Sequence, residues 1–98
     1  MSSKIEIKLP CRTSGRLFPE IVCKDGFQMS VQASDFHYSK PSTAENHMLA
    51  LYEKVEVGYP NQPEELLTHY ESGEGSNVFG YVPMEVVRKI IRKHGGTL

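Results

Sequence analysis

Ile21-Val22-Cys23-Lys24-Asp25-Gly26-Phe27-Gln28-Met29-Ser30-Val31-Gln32-Ala33 is the stretch that decides the fold. Phe27, Met29, Val31 and Ala33 alternate with Gln28, Ser30, Gln32 and Ser34, the period of two that marks a half-buried strand. A second run, Ile21 to Lys24, precedes it across Asp25-Gly26. An Asp-Gly pair between two such runs predicts a β-hairpin closed by a two-residue type I′ turn. The polar face of the second arm carries no charge, only hydrogen-bond donors and acceptors. It leads directly into Asp35, Phe36, His37, Tyr38 and Lys40, so this strand feeds a candidate recognition site.

Outward from the hairpin, Ile5, Ile7 and Leu9 alternate with Lys4, Glu6 and Lys8, predicting a first strand that ends at Pro10. Cys11 to Pro19 has loop composition and includes Arg12 and Arg16. Ser34 to His47 is polar, with Pro41, Ser42 and Thr43 at its centre, and reads as a long loop of the kind that often carries function. Leu49 to Tyr59 alternates again and predicts another strand, with Glu53 out of place on the face of Leu51, Val55 and Val57. After Pro60, Asn61 and Glu64 have the spacing of a capping box, predicting a short helix through Leu66, Leu67 and Tyr70. Ser72 to Asn77 is a Gly- and Ser-rich connection.

Phe79 to Val82 predicts a short strand. Pro83 then suits a helix start, Val86, Val87, Ile90 and Ile91 share one helical face, and Gly95 marks the end. Short or irregular connections favour an antiparallel sheet over a parallel one. The expected architecture is therefore one α+β domain over residues 1–98, a small antiparallel sheet with the C-terminal helix packed on one face and a short second helix.

Eleven Lys and Arg against twelve Asp and Glu give a formal net charge of -1 over 98 residues. That balance argues against duplex nucleic acid, whose binding draws on a cationic surface. No run is long and apolar enough to span a bilayer and no leader pattern opens the chain, so a cytosolic protein is expected. Cys11 and Cys23 lack zinc-ligand spacing and are read as reduced and structural. Between Glu53 and Glu74 six glutamates face only Lys54, whereas the last helix carries Arg88, Lys89, Arg92, Lys93 and His94. This asymmetry, in a chain small enough to gain from association, suggests a homo-oligomer in which the acidic and basic regions meet.

Weighed as an enzyme, Asp35, His37 and Tyr38 offer an acid and a base, but strand alternation sends Tyr38 away from the other two. No nucleophile elbow or phosphate-binding glycine loop occurs, so no catalytic residue is assigned. His37, His47, His69 and His94 are scattered without ligand spacing, so neither a metal nor a cofactor is expected. Tyr52, Tyr59, Tyr70 and Tyr81 are read as packing residues. A small anionic ligand fits the chain better. Gln28, Ser30, Gln32 and Ser34 would read hydrogen-bonding edges, Phe36 and Tyr38 would stack on a planar base beside His37, and Arg12, Arg16 or Lys40 would meet a phosphate.

Several phrases together resemble a family of small accessory proteins encoded by tailed bacteriophages. They are Asp25-Gly26-Phe27 with Ser30-Val31-Gln32-Ala33-Ser34, then His37-Tyr38 and Pro41, Val55-Glu56-Val57-Gly58-Tyr59-Pro60, and Gly80-Tyr81-Val82-Pro83 with Glu85-Val86-Val87 and His94-Gly95-Gly96. Ser39 departs from the Cys or other small residue that often follows the His-Tyr pair, and the segment before Val55 differs in size. The resemblance implies a protein made in the cytoplasm of the infected bacterial host that counters host defence. Combined with the residue reading, it suggests a sponge for a nucleotide-like immune signal. Two alternatives stay open: an inhibitor that docks on a host defence protein or nucleic-acid enzyme, and an enzyme that degrades the signal.

Overall fold

The computed structural model describes residues 5–11, 17–34, 39–40, 48–73 and 75–98. Four strands, β1 (Ile21–Val22), β2 (Gln28–Gln32), β3 (Lys54–Gly58) and β4 (Val78–Pro83), form one sheet in the order β1-β2-β3-β4. Every neighbouring pair is antiparallel. Among the described residues a single α-helix, α1 (Met84–Lys93), follows β4 directly, and two 3-10 helices span Leu49–Leu51 and Glu65–Tyr70. This is the expected α+β architecture, with the second helix tightened to 3-10 geometry.

Alternation built the core as expected. Phe27, Met29, Val31 and Ala33 are all fully buried, and Val55, Val57 and Val82 join them from the neighbouring strands. Met84, Val87, Ile90 and Ile91 bring the apolar stripe of α1 onto that face. Burying a Val, Leu or Ile side chain contributes about 1.5–3 kcal/mol, so this shared face supplies most of what holds the small domain together.

The hairpin is present, but its turn differs from the type I′ expectation. The Gly26 N–H donates to the Cys23 carbonyl at 3.0 Å and the Cys23 N–H to the Phe27 carbonyl at 2.8 Å. Gly26 alone of the loop residues has positive φ, at 96°, whereas type I′ needs it at both central positions. The loop is thus Lys24-Asp25-Gly26, a type I turn completed by a left-handed glycine. The change matters for the site, because Asp25 now sits at the tip with its Oδ1 accepting from the Phe27 N–H at 2.9 Å.

Three other expectations are corrected. Residues 5–10 form no strand; Ile7 and Leu9 pack on the core while Ile5 is exposed. The Leu49-to-Tyr59 strand begins only at Lys54, after the 3-10 turn at Leu49–Leu51, which removes the conflict over Glu53 and leaves Leu51 and Tyr59 exposed. Asn61 does not cap the second 3-10 helix. Glu64 does, its carboxylate accepting from the Leu66 N–H at 3.1 Å. Asn61 instead clips the hairpin, its Oδ1 accepting from the Gln28 N–H and its Nδ2 donating to the Gly26 carbonyl, each at 2.9 Å.

The end of α1 positions the remaining key group. The Gly96 N–H donates to the Ile91 carbonyl at 2.8 Å and the Gly95 N–H to the Arg92 carbonyl at 3.1 Å, the paired bonds of a Schellman motif. Gly95 ends the helix as the sequence predicts, and His94 becomes its C-cap. The chain then turns back along β1, with the Asp25 N–H donating to the His94 carbonyl at 3.3 Å and the Lys24 N–H to the Gly96 carbonyl at 3.0 Å. The tight reversal brings His94 against the hairpin tip. Between β3 and β4 the register slips: Val55 opposes Val82 but Val57 opposes Phe79, so β4 carries one extra residue. Tyr81 lies in this bulge with φ of 52°.

Candidate functional site

Of the residues chosen from sequence, Gln28, Ser30, Gln32, Ser34 and Lys40 are described; Arg12, Arg16, Phe36, His37 and Tyr38, with Asp35, lie outside the described residues. Gln28 and Ser30 are half-buried along β2. Gln32 is buried, and its amide holds the chain itself: Oε1 accepts from the Phe18 N–H at 2.8 Å while Nε2 donates to the Phe18 carbonyl at 2.8 Å and to Ser30 Oγ at 3.0 Å. The Ser39 hydroxyl accepts from the Ser34 N–H at 3.2 Å and donates to the Ser34 carbonyl at 3.0 Å. Lys40 joins the sheet through its backbone opposite Lys54, leaving its residue exposed. The polar row is therefore real, but its inner end serves to pin the segment around Phe18.

A different set of side chains converges where the hairpin tip, the second 3-10 helix and the end of α1 meet. His94 Nδ1 lies 2.6 Å from Asp25 Oδ2, and its Nε2 lies 2.8 Å from Glu64 Oε1. The second Glu64 oxygen accepts from Lys93 Nζ at 2.9 Å and from the Leu66 N–H. Phe27 stacks on the imidazole, ring centroids 4.1 Å apart and planes 11° from parallel. The Glu64 side chain is only 1% exposed and that of His94 10%, whereas Asp25 and Lys93 are each exposed by more than two fifths.

Because ionised carboxylates only accept, both ring nitrogens of His94 donate and the ring is an imidazolium. Burial works against that charge, but the hydrogen bonds the ring donates to Glu64 and Asp25 outweigh burial and raise the His94 pKa. Glu64 behaves in mirror image: burial opposes its ionisation, and Lys93 and His94 overcome this to hold its carboxyl below the usual range. Asp25 is lowered first by the Phe27 N–H and then by His94, and Lys93 is raised by Glu64. Nearby, burial and then the Asp25 charge push the Cys23 thiol up to about 11, which makes it unreactive at neutral pH.

This network ties three elements together and leaves His94 no lone pair with which to take a proton or bind a metal. Among the described residues no group of three or more His, Cys, Asp or Glu side chains is placed to hold a metal ion. Glu64 also borders a groove of about 440 Å³ whose other walls include Pro63, Asn61, Glu71, Asn77 and Phe79. Sequence reasoning missed the network. Asp25 was read as a turn residue and His94 as a scattered histidine on the basic last helix, yet each stands beside a glycine that reverses the chain, and that adjacency was the available signal.

Within one chain the basic end of α1 reaches acidic residues, Lys93 lying 2.9 Å from Glu64 and 3.8 Å from Glu65. No helix among the described residues is long and apolar enough to cross a membrane. Fold and site together define a small α+β domain, an antiparallel sheet and one helix locked at the hairpin tip by a buried imidazolium. Comparison with protein-family models, with curated proteins and with solved structures finds no match.

Proposed function

We propose that the chain works by binding and not by chemistry, as an anti-defence accessory protein of a tailed phage that captures a nucleotide-like signal in the cytoplasm of the infected host. The observation that carries this reading is the closure of His94 between two carboxylates. A histidine held as a double donor serves as a structural cation, and a capture protein needs rigidity more than it needs a base. In this reading Gln28 and Ser30 read the ligand's edges and Lys40 meets its charge, together with Arg12, Arg16, Phe36, His37 and Tyr38. Gln32 and Ser34 contribute by fixing the backbone around them.

The test is to incubate the pure protein with cyclic dinucleotides and ADP-ribose-type molecules, remove free ligand, and heat to release what was retained. Intact recovered nucleotide is the expected result. A chemically altered nucleotide would replace the sponge with a degrading enzyme, and retention of none would overturn both. A second reading, inhibition of a host protein, draws on the groove beside Glu64 and Glu71, whose amide, acidic and aromatic lining suits a protein surface. It predicts a stoichiometric partner from host lysate that is lost in a Glu71→Lys variant.

A further inference from the structure

The outer face of α1 carries Lys89 and Arg92, both exposed, with Arg88 half-buried beside them. None of the three has an ion-pair partner among the described residues. Arg88 and Arg92 stand four residues apart on the helix, where like charges repel. The helix dipole accounts for part of this basic row only, since its pull is confined to the last turn, where Arg92 and Lys93 lie. Arg88 and Lys89 precede that turn, so an anionic surface outside the helix is what would offset their charge.

An acidic row lies beside the basic one. Glu65 and Thr68 on the second 3-10 helix and Glu71 at its C-cap recur every three residues, the repeat at which 3-10 side chains line up, and all three are exposed. At about 2 Å of rise per residue the two glutamates stand about 12 Å apart along that row. Glu71 has no ion-pair partner among the described residues, and Glu65 has only Lys93, at 3.8 Å with its own side chain 86% exposed. This contact makes the rows neighbours, because Lys93 follows Arg92 and stands one helical turn beyond Lys89. One side of the molecule therefore presents an anionic and a cationic row together.

Such a surface is complementary to itself. A second copy turned about a two-fold axis lays its acidic row on the basic row of the first and its basic row on the acidic one, so both contacts form at once. Nucleic acid lacks this fit, because a polyanion lying over Lys89 and Arg92 would run against Glu65. We infer that this face is a two-fold interface between copies of the chain, with Lys89 and Arg92 of each facing Glu65 and Glu71 of the other. Exposed ion pairs are individually weak, so the dimer is weak and salt-sensitive. The interface stands independently of nucleotide capture, and although Glu71 also borders the groove, it needs no host protein.

Sedimentation equilibrium of the pure, intact protein tests this. It should dimerise below about 1 mM at low salt, with a dissociation constant that rises at least about tenfold between about 0.05 M and about 0.5 M sodium chloride. Lys89→Glu with Arg92→Glu makes both rows acidic, and Glu65→Lys with Glu71→Lys makes both basic. Each doubly substituted protein should be monomeric alone, and an equimolar mixture of the two should form a one-to-one dimer, which also shows that both are folded. A single Glu71→Lys variant leaves the Lys93 contact in place and should weaken the dimer in the same direction. An intact protein that stays monomeric at about 1 mM in low salt would overturn the inference. So would a dimer indifferent to salt and to these substitutions, or folded monomeric variants, checked by circular dichroism, that mixing does not bring together.

Discussion

His94 Nε2 lies 2.8 Å from Glu64 Oε1 across 30 positions of sequence, inside a pocket where the glutamate side chain is 1% exposed. One contact thus joins the C-cap of α1 to the N-cap of the second 3-10 helix, and Asp25 on the opposite ring nitrogen adds the hairpin tip. Three elements share a single charged centre.

Stability should depend on pH with a plateau set by this centre. The His94 pKa is raised above its ordinary 6.5, so its contribution is complete below that value and is lost as pH rises through the folded-state pKa. Glu64 and Asp25 are lowered from 4.5 and 3.8, so theirs is complete above those values and is lost as pH falls through their folded-state pKa values. Melting temperature should be highest relative to a His94→Gln variant between 4.5 and 6.5, with the gap narrowing on both sides.

Glu64→Gln should be the costliest single change in the network. It removes one buried charge and leaves the imidazolium short of its inner partner, a loss of about 3–5 kcal/mol by the usual cost of breaking a buried pair. Asp25→Asn, at the exposed tip, should cost less. Urea denaturation at pH 6 ranks the two, and equal losses would mean that the network is held from the outside.

Gly96→Ala should destabilise far more than Gly95→Ala. A Cβ on Gly96 would stand 2.8 Å from the Glu6 carbonyl oxygen, at φ of 95°. On Gly95 it would meet only the Lys24 Cβ at 3.5 Å, so the penalty there is the left-handed backbone alone, about 1 kcal/mol. Chemical denaturation of the two variants reads the difference directly.

Gln32→Ala should loosen the segment around Phe18 while sparing the sheet. The substitution deletes two bonds to the Phe18 backbone and costs about 1–3 kcal/mol through the groups it uncovers. Amide exchange should quicken at Phe18 and stay unchanged at Val31. Uniform quickening would show that the whole domain had been weakened instead.

The sheet was legible wherever a local pattern matched a local cause. Alternation from Phe27 to Ala33 placed a buried face correctly, and Gly95 announced the end of α1. Glu53 was legible too, as a misfit, and the structure resolves it by starting β3 one residue later. The turn type escaped because an Asp-Gly pair fits two geometries, and in the one adopted Asp25 meets His94, 69 positions away. Asn61 escaped because a capping side chain and a clip on a distant strand share one amide chemistry. The network could not be read from spacing, since its members lie in three separate stretches of sequence that only the fold brings together.

The protonation state of His94 tests the central claim most directly, and nitrogen-15 NMR of the labelled imidazole reports it. The account predicts that at pH 7 both ring nitrogens resonate as protonated and coupled to hydrogen, and that Glu64→Gln lowers the pH at which one proton is lost. A ring carrying one bare nitrogen at pH 7 in the intact protein would contradict it, because His94 would then hold the lone pair of a base and the site would be open to chemistry.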